Sequence, residues 1–552
     1  MTTEPTAPQR TRVLIAGAGP AGLVLACELA RRGIAHRLVE QDPQHFAGAR
    51  GKGLQPRTLE VFEDLGLLDR VHTHGGDYPA MRAYRGDEVV WEGRMDEVRE
   101  PTPEVPYPNA WMLPQWRTGE LLRERLAELG GTVETGTGLL SFTQDGDGVT
   151  ALVRHAGQEG TIRADYLVGT DGGRSAVRRG LGVGFAGETR EEHRMLIADV
   201  RAEGVDRAHW HVWPQQDPGL AAFPLGLCPL AGTDTFQLTQ PLLPDAPVPE
   251  ATLPRLQQLV DEAAGPGRIR LTEVVWHSLF RANIRMAEHF RVGRVFLAGD
   301  AAHVHSPAGG QGLNTGIQDS YNLGWKLAAV VAGAPAELLD SYEEERLPVA
   351  ADVLGISTRL HDKGVSGDQD AHRRDDPALQ QLGLGYPASP LSREERAEPG
   401  ALRAGDRAPD APGHGSDGAP VRLFELFAGP HATLLAFGPR AAKLAADLAG
   451  PGSPQAERLR VVAVLAPDER VPAGVYPFAD TGGHARRGYG PAEGRPADSL
   501  VLVRPDGYLG LALDADGTAV TRLHDYLARI SAPAGVRGPR RPAWSCRNSA
   551  ED

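Results

Sequence analysis

The chain has 552 residues, and 58 Lys and Arg against 72 Asp and Glu give it a net charge of −14. With 41% hydrophobic and 24% charged residues it has the composition of a globular protein of roughly three domains, which excludes a disordered chain. The acidic balance argues against nucleic acid or an anionic membrane as a partner, because both attract basic surfaces.

Three widely separated cysteines, Cys27, Cys228 and Cys546, provide neither a disulfide framework nor a zinc-binding spacing. The apolar run at 327–334 is far shorter than the roughly 18 residues that cross a bilayer. The polar N-terminus lacks the apolar core of a secretory signal. We therefore expect a soluble, cytoplasmic protein, a monomer or homodimer, that acts on a small molecule.

The first predicted unit is a strand at 13–16, a glycine-rich turn, a helix at 23–32 and a second strand at 36–40. In the turn, the first glycine permits tight bending, the second lets backbone approach a pyrophosphate, and the third lets the helix pack on the strand. A carboxylate at the end of the second strand can accept hydrogen bonds from ribose hydroxyls. The pattern favours a dinucleotide site over a plain turn. Its residues are Gly17, Gly19, Pro20, Ala21, Gly22 and Glu40.

A second hexapeptide of the same form, at 182–187, lacks the preceding apolar strand and the following apolar helix face. We therefore predict only one dinucleotide-binding unit.

Two more short apolar strands end in acidic motifs. The strand at 166–169 precedes Asp171-Gly172, and the strand at 295–298 precedes Gly299-Asp300. Carboxylates at the carboxyl ends of strands can bind ribose or ribityl hydroxyls, although each motif alone also fits a simple cap of the strand end. The glycines at 309–312 then expose N–H groups at the start of a long helix, where negative charge on a planar acceptor is stabilised.

The rest of the chain divides by composition. A mostly β region spans 184–285, and a stretch rich in Asp, Arg, Gly and Pro at 366–420 is predicted to be a linker. A small α/β domain follows at 421–532, and residues 533–552 are predicted to be a flexible tail. The fold class is thus α/β and α+β. We assign the Rossmann-like domain to 10–183 and 286–365, with strands near 78–115 joining the β-sheet substrate domain.

Together, the motifs at 17–22, 171–172 and 299–300 resemble those of the single-component FAD-dependent aromatic hydroxylases of the para-hydroxybenzoate hydroxylase type. The closest resemblance is to the branch that oxidises aromatic polyketides, which commonly carries a C-terminal thioredoxin-like domain. The resemblance covers residues 10–350 strongly and the remainder weakly.

The resemblance implies a set of residues that hold FAD. The six residues of the first motif would bind its ADP half, and Arg50 and Gln115 would contact the cofactor. Asp300 would bind the ribityl chain or pyrophosphate, and the 307–314 loop would meet the flavin ring. Asp171 and Gly172 are linked in this family to both FAD and the pyridine nucleotide. The implied loop residues are Pro307, Gly310, Gly312, Leu313 and Asn314.

The resemblance also implies the chemistry. NADH or NADPH, as a transient co-substrate, reduces FAD; O₂ then forms a C4a-hydroperoxide that passes one oxygen atom to an aromatic ring. Baeyer–Villiger oxygenation of a polyketide or quinone, and oxidative inactivation of an aromatic antibiotic, remain open alternatives. A non-catalytic flavin-binding module and an NAD-dependent dehydrogenase are disfavoured by the full set of three motifs.

Several residues stay outside this pattern. The thioredoxin-like domain has no C-x-x-C, which argues against disulfide exchange. His303 and His305 have no metal-ligand partners at matching spacing, so we predict no metal. Aromatic residues of the β region are candidates to line a substrate cavity, although sheet packing explains them equally well. They are Trp213, with its neighbour Trp210, Phe223 and Trp276. The sequence names no catalytic base.

Overall fold

A computed structural model of the chain describes residues 9–214, 225–243, 246–306, 309–365, 373–374, 376–449, 458–465, 471–490 and 498–532. Two residues predicted to lie in the site, Pro307 and Phe223, and the predicted flexible tail at 533–552 fall outside these ranges. Within them, no helix combines the length and apolar character needed to span a membrane.

The N-terminal sheet brings the three acidic or glycine-rich motifs to one edge. Its central strand, Gln9–Ala16, pairs in parallel with His36–Val39 and with Gln158–Gly169, which in turn pairs in parallel with Val295–Leu297. The register aligns the last residues of these strands, so the turns that follow them are neighbours. In order, the strands are Arg291–Val292, Val295–Leu297, Gln158–Gly169, Gln9–Ala16, His36–Val39 and Val133–Glu134, with Val149–His155 and Thr137–Gln144 extending Gln158–Gly169.

Two helices cover this sheet, and small residues let them approach closely. Helix Pro20–Ala30 begins with a proline whose fixed φ suits the first helical position, and it packs along helix Gly312–Val331. A Cβ atom on Gly324 would lie 2.5 Å from the Cβ of Glu28, so only glycine allows this approach. The other helices of this half of the chain are Pro56–Asp64, Leu68–His74, Gln115–Glu128, Ala176–Leu181 and Asp340–Val365, with short 3-10 turns at Gly299–Ala301 and Ala336–Leu339.

The central sheet is mostly antiparallel and has two distinct faces. Alternate residues of its strands, such as Leu196, Ala198 and Leu238, are buried against helix Leu253–Ala264. The intervening residues point to the opposite face, toward the loop at 46–55. In order, the strands are His303–Val304, Arg270–Ala287, Phe185–Glu203, Phe236–Leu242, Leu225–Pro229, His209–Trp213, Ala80–Arg85 and Glu88–Gly93. A small sheet of Gly53–Leu54, Trp111–Met112 and Gly76–Asp77 lies beside it.

The C-terminal sheet mixes parallel and antiparallel pairs and is flanked by helices. Its strands, in order, are Arg393–Glu395, Leu509–Asp514, Ser499–Val503, Ala432–Phe437, Leu459–Leu465, Tyr476–Ala479, Pro412–His414 and Pro420–Arg422. Its helices are Leu423–Phe427, Pro439–Ala449, His484–Tyr489 and Ala519–Ile530. Its resemblance to a thioredoxin-like domain stays a prediction.

Part of the predicted linker is built into this sheet. Arg393–Glu395 pairs in parallel with Leu509–Asp514, and Pro412–His414 pairs with Pro420–Arg422. A 3-10 turn at Pro377–Gln380 precedes them. These strands have three residues each, too few for an alternating pattern to stand out in the sequence, and they depend on distant partners.

Buried charges join the C-terminal sheet to the rest of the molecule. Arg504 contacts Glu345 with both terminal nitrogens, at 2.7 and 2.9 Å, and Asp506 at 2.6 Å, while the Nζ of Lys326 lies 2.6 Å from Glu345. All four side chains are excluded from solvent, and Trp325 packs into the apolar cluster of the C-terminal sheet. Each buried charge is therefore paired, as burial requires.

Candidate cofactor and substrate site

Of the three glycines in the turn at 17–22, two are packed against protein backbone and one faces open space. Gly17 has a φ of +104°, and a Cβ there would lie 2.5 Å from the carbonyl oxygen of Thr170; a Cβ on Gly22 would overlap the Gly17 carbonyl. At Gly19, by contrast, a Cβ would meet nothing within 4 Å. A ligand can thus approach the backbone at Gly19, but not at Gly17 or Gly22.

The predicted acidic residue of the first unit lies beside this turn. The Glu40 carboxylate accepts hydrogen bonds from the N–H of Ala18 at 2.8 Å and of Asp42 at 3.0 Å. Each carboxylate oxygen has a second lone pair, so Glu40 can still accept from a ligand hydroxyl. Pro20 and Ala21 form the start of the helix, whose first N–H groups lack acceptors within it.

The two other acidic motifs differ in what they contact. The Asp171 carboxylate accepts hydrogen bonds from Ser175 Oγ, Ala176 N and Val177 N, so it caps helix Ala176–Leu181. Gly172 has a φ of +77° in the connecting turn. Asp300 is exposed at the aligned strand ends. Although solvent reaches its carboxylate, the dense protein around Asp300 partly desolvates it and raises its pKa, against the lowering effect of His303 and Arg50.

The start of helix Gly312–Val331 is joined to the loop at 46–55. The Asn314 side chain accepts from Gln55 N at 2.8 Å and donates to the carbonyl of Gly53 at 2.9 Å. The Leu313 side chain packs near Gly51, whose N–H donates to Gln115 Oε1 at 3.1 Å. Gly310 has a φ of +63°, which favours glycine. The predicted residues Gln115, Gly310, Gly312, Leu313 and Asn314 are therefore brought together.

A chain of hydrogen bonds joins the turn at 299–305 to helix Gly312–Val331. His305 Nε2 lies 2.8 Å from His303 Nδ1, and His303 Nε2 lies 2.6 Å from Asp319 Oδ2, which also accepts the N–H of Gly299. The other carboxylate oxygen accepts from Arg346 Nε at 2.8 Å. Burial alone would raise the pKa of Asp319, but the charges of His303 and Arg346 outweigh it and lower the pKa. Burial lowers the pKa of His305 well below its usual value, which favours the neutral imidazole.

His303 and His305 are hydrogen-bonded within the protein: to each other and, through His303, to Asp319, which also pairs with Arg346. Across the described ranges, no group of three or more His, Cys, Asp or Glu side chains is placed to hold a metal ion.

Arg50 and Trp276 lie where the loop at 46–55 meets the central sheet. The Arg50 guanidinium is 5.6 Å from the centre of the Phe46 ring and 5.9 Å from that of Trp276, and it donates to Ser278 Oγ at 3.1 Å. The Phe46 and Trp276 rings meet edge to face at 5.4 Å. We call the space bordered by Gly19, Arg50, Asp300 and Gly312 the cleft.

The prediction that Trp213 contacts substrate is wrong. The Trp213 ring stacks on Tyr84 with centroids 5.1 Å apart, and it is buried in the apolar cluster under helix Leu253–Ala264. Strand residues alternate between faces, so Trp210 points the other way, toward the loop at 46–55. Trp213 is therefore a core residue, and Trp210 occupies the face that borders the cleft.

This face also carries a group of polar side chains that the sequence did not reveal: Lys52, Gln237 and Asp199. Lys52 donates to Gln237 Oε1 at 2.7 Å with its ammonium 4.0 Å from the centre of the Trp210 ring, and Asp199 accepts from Ala49 N at 2.9 Å. Asp199 and Gln237 occupy alternating strand positions that read as ordinary outward-facing polar residues. Only their contacts with the loop at 46–55 distinguish them from solvent-exposed strand residues.

The arrangement of the cleft fits FAD. The open position at Gly19 and the free N–H groups that follow it suit a pyrophosphate, and Glu40 suits a ribose. At the far end, the first intrahelical hydrogen bond of helix Gly312–Val331 is from Thr315 N to Gln311 O. The N–H groups of 312–314 therefore have no acceptor within the helix, and they suit a planar ring that takes up negative charge.

Fold and cleft together define a flavoprotein with a sheet domain facing its cofactor site. A family described as an FAD binding domain matches residues 10–357. A flavin-dependent monooxygenase of Mycobacteroides abscessus is 45% identical over 522 residues, which cover 94% of this chain and 99% of the relative. The chain therefore belongs to the FAD-dependent monooxygenases, and its cofactor is FAD.

Two further relatives have named substrates. A rifampicin monooxygenase of Streptomyces venezuelae is 38% identical over 345 residues, covering 62% of this chain and 69% of the relative. The crystal structure of aklavinone-11 hydroxylase with FAD and aklavinone superposes with a TM-score of 0.77 at 28% identity, covering 95% of this chain and 99% of that one.

Proposed function

We propose that this protein hydroxylates a polycyclic aromatic compound of the polyketide type, using NAD(P)H and O₂. One observation carries the proposal: the aromatic and polar face of the central sheet, with Trp276 and Trp210, adjoins the loop at 46–55 that binds the start of helix Gly312–Val331. A planar substrate on that face would lie next to the flavin ring. The similarity to aklavinone-11 hydroxylase supports a polycyclic substrate.

Several residues of this chain have defined tasks in the proposal. The N–H groups of Gly312, Leu313 and Asn314 favour negative charge at the edge of the ring they face. Gly19 and Glu40 hold the dinucleotide, and Asp300 binds hydroxyls of the chain that links its two ends. Asp171 fixes the turn beside Gly17 by capping the next helix.

When bound, FAD supplies the reduction of O₂ that makes one oxygen atom transferable, with electrons from NAD(P)H. The protein positions the aromatic ring and excludes water, because water promotes side reactions that waste the transferable oxygen. Arg50 lies where the loop at 46–55 meets the central sheet, and its charge acts on Asp300.

A panel of polycyclic phenols and quinones, with a rifamycin among them, tests the proposal. FAD-loaded protein is incubated with NADH or NADPH, and NAD(P)H consumption and product mass are followed. We expect substrate-stimulated oxidation and a product with one added oxygen and intact aromatic rings. A ring-expanded lactone would instead indicate Baeyer–Villiger oxygenation, and oxidation confined to a rifamycin would indicate antibiotic inactivation. A lack of stimulation by every compound would contradict all three.

A further inference from the structure

Lys52 borders the cleft, and among the described residues no carboxylate is in hydrogen-bond or ion-pair contact with its ammonium. Lys52 has an ammonium with three N–H donors. It donates to the neutral amide oxygen of Gln237 at 2.7 Å, lies 4.0 Å from the centre of the Trp210 ring, and approaches the Cys228 thiol. Both the Lys52 and the Trp210 side chains are only partly buried. A lysine that only stabilises the fold is normally exposed or paired with an acid. Lys52 is partly buried and forms no ion pair with a described residue, although its charge acts on the nearby Asp199.

The backbone around Lys52 belongs to the cofactor side of the cleft. Gly51 N donates to Gln115, and the carbonyl of Gly53 accepts from the Asn314 side chain. From this loop the Lys52 side chain crosses to the central sheet. Its ammonium therefore lies between the start of helix Gly312–Val331 and the sheet face proposed to carry the substrate.

A buried carboxylate opposes Lys52 on the same face. Asp199 is 2% exposed; one of its oxygens accepts from Ala49 N, and the other, Oδ1, has no hydrogen-bond donor among the described residues. The indole N–H of Trp210 is likewise without an acceptor there. Buried polar atoms without partners are uncommon, so the N–H of Trp210, together with the N–H donors of Lys52 beside it, indicates a place where an acceptor on a ligand completes the contacts.

We propose that Lys52 and Trp210 form a subsite for an ionised oxygen of the aromatic substrate, a phenolate or enolate, and that the charge of the nearby Asp199 opposes it. The Lys52 ammonium binds that oxygen, and Trp210 offers its N–H and its ring to the same substrate edge. Asp199 tunes the subsite by lowering the local positive potential. The subsite rests on the proposed function, since an ionised oxygen makes the attached ring electron-rich and thus a better acceptor of oxygen.

Equilibrium dialysis with two small probes tests the subsite on FAD-loaded protein. The probes are 2-hydroxy-1,4-naphthoquinone, which is ionised at neutral pH, and its methyl ether, which cannot ionise. We expect the wild type to bind the hydroxy compound about tenfold more tightly than the ether, as a charge-assisted hydrogen bond provides. Lys52→Met should bring that ratio close to one.

A second variant separates charge from folding. Asp199→Asn keeps an oxygen for Ala49 N but removes the negative charge, so it should increase the affinity ratio, opposite to Lys52→Met. Lys443→Met, on an exposed position of helix Pro439–Ala449, is the matched control and should leave the ratio unchanged. Misfolding would not shift the ratio in opposite directions for two variants.

The subsite is overturned if the wild type does not discriminate between the probes, if Lys52→Met keeps the wild-type ratio, or if Asp199→Asn lowers it. These results leave the proposed hydroxylase activity intact, because that activity is measured separately by product mass. Conversely, a protein that oxygenates no phenol but shows the expected binding ratios would contradict the proposed function and keep the subsite as an anion-binding site.

Discussion

His303 Nε2 and Asp319 Oδ2 lie 2.6 Å apart, and the same carboxylate oxygen accepts the N–H of Gly299 at 3.0 Å. One buried side chain of helix Gly312–Val331 thus fixes both ends of the turn that presents Asp300. The geometry of the acidic motif and that of the following loop are therefore coupled through Asp319.

Replacing Asp319 should weaken FAD binding as well as stability. Asp319→Ala leaves the buried Arg346 guanidinium without its ion-pair partner, which costs about 3–5 kcal/mol of unfolding free energy. The turn at 299–305 should loosen, so FAD affinity measured by flavin fluorescence should fall at least as clearly as the melting temperature. Asp340→Ala removes a largely exposed partner of Arg291 and is the control expected to change neither. Wild-type FAD affinity in a folded Asp319→Ala protein would contradict this coupling.

The turn at 17–22 predicts a contrast between two glycines. Gly17→Ala should destabilise the protein by about 2 kcal/mol or more and weaken FAD, because its φ of +104° and the nearby Thr170 carbonyl disfavour a Cβ. Gly19→Ala should leave the stability of the FAD-free protein near wild type, since the added methyl meets no protein atom, yet it should weaken FAD by occupying its place. Thermal melts with and without FAD separate the two effects, and equal FAD affinity in Gly19→Ala and wild type would place the cofactor elsewhere.

Asp199 predicts a pH-dependent change in stability. Burial raises its pKa to about 6, despite the Ala49 hydrogen bond and the charge of Lys52. Because the folded-state pKa lies above the unfolded value, Asp199 destabilises the fold as pH rises from about 4 through 6, by on the order of 3 kcal/mol. Asp199→Asn should therefore be more stable than wild type at pH 7.5 and similar at pH 4 in urea unfolding. A variant that is less stable at pH 7.5 would show that the carboxylate is needed in its charged form.

The two tryptophans of the central sheet should respond differently to truncation. Trp213→Ala creates a cavity under helix Leu253–Ala264 and should cost about 3–5 kcal/mol of stability. Trp276→Leu, on the face that borders the cleft, should cost much less but should raise the KM for an aromatic substrate. Steady-state kinetics and melting curves on both variants check this, and an unchanged KM with lowered stability in Trp276→Leu would assign Trp276 to packing alone.

The sequence predicts those parts of the site that depend on local order. Gly17, Asp171 and Asp300 each follow a short apolar strand, and parallel pairing was enough to place them at one edge. Lys52 and Asp199 escaped prediction because they are 147 positions apart and meet only when the loop at 46–55 packs on the sheet. Trp213 was misassigned because an aromatic residue in a strand gives no sign of which face is covered by a helix; the alternation with Trp210 marks two faces, but not which is which.

The most direct test of the central claim is oxygen labelling. FAD-loaded protein, NAD(P)H and a polycyclic phenol that stimulates its oxidation are incubated under ¹⁸O₂ in ordinary water, and the product is analysed by mass spectrometry. The monooxygenase assignment predicts one ¹⁸O atom in a product that keeps its aromatic rings. A product whose new oxygen comes from water, or an oxidised product with no added oxygen, would contradict it.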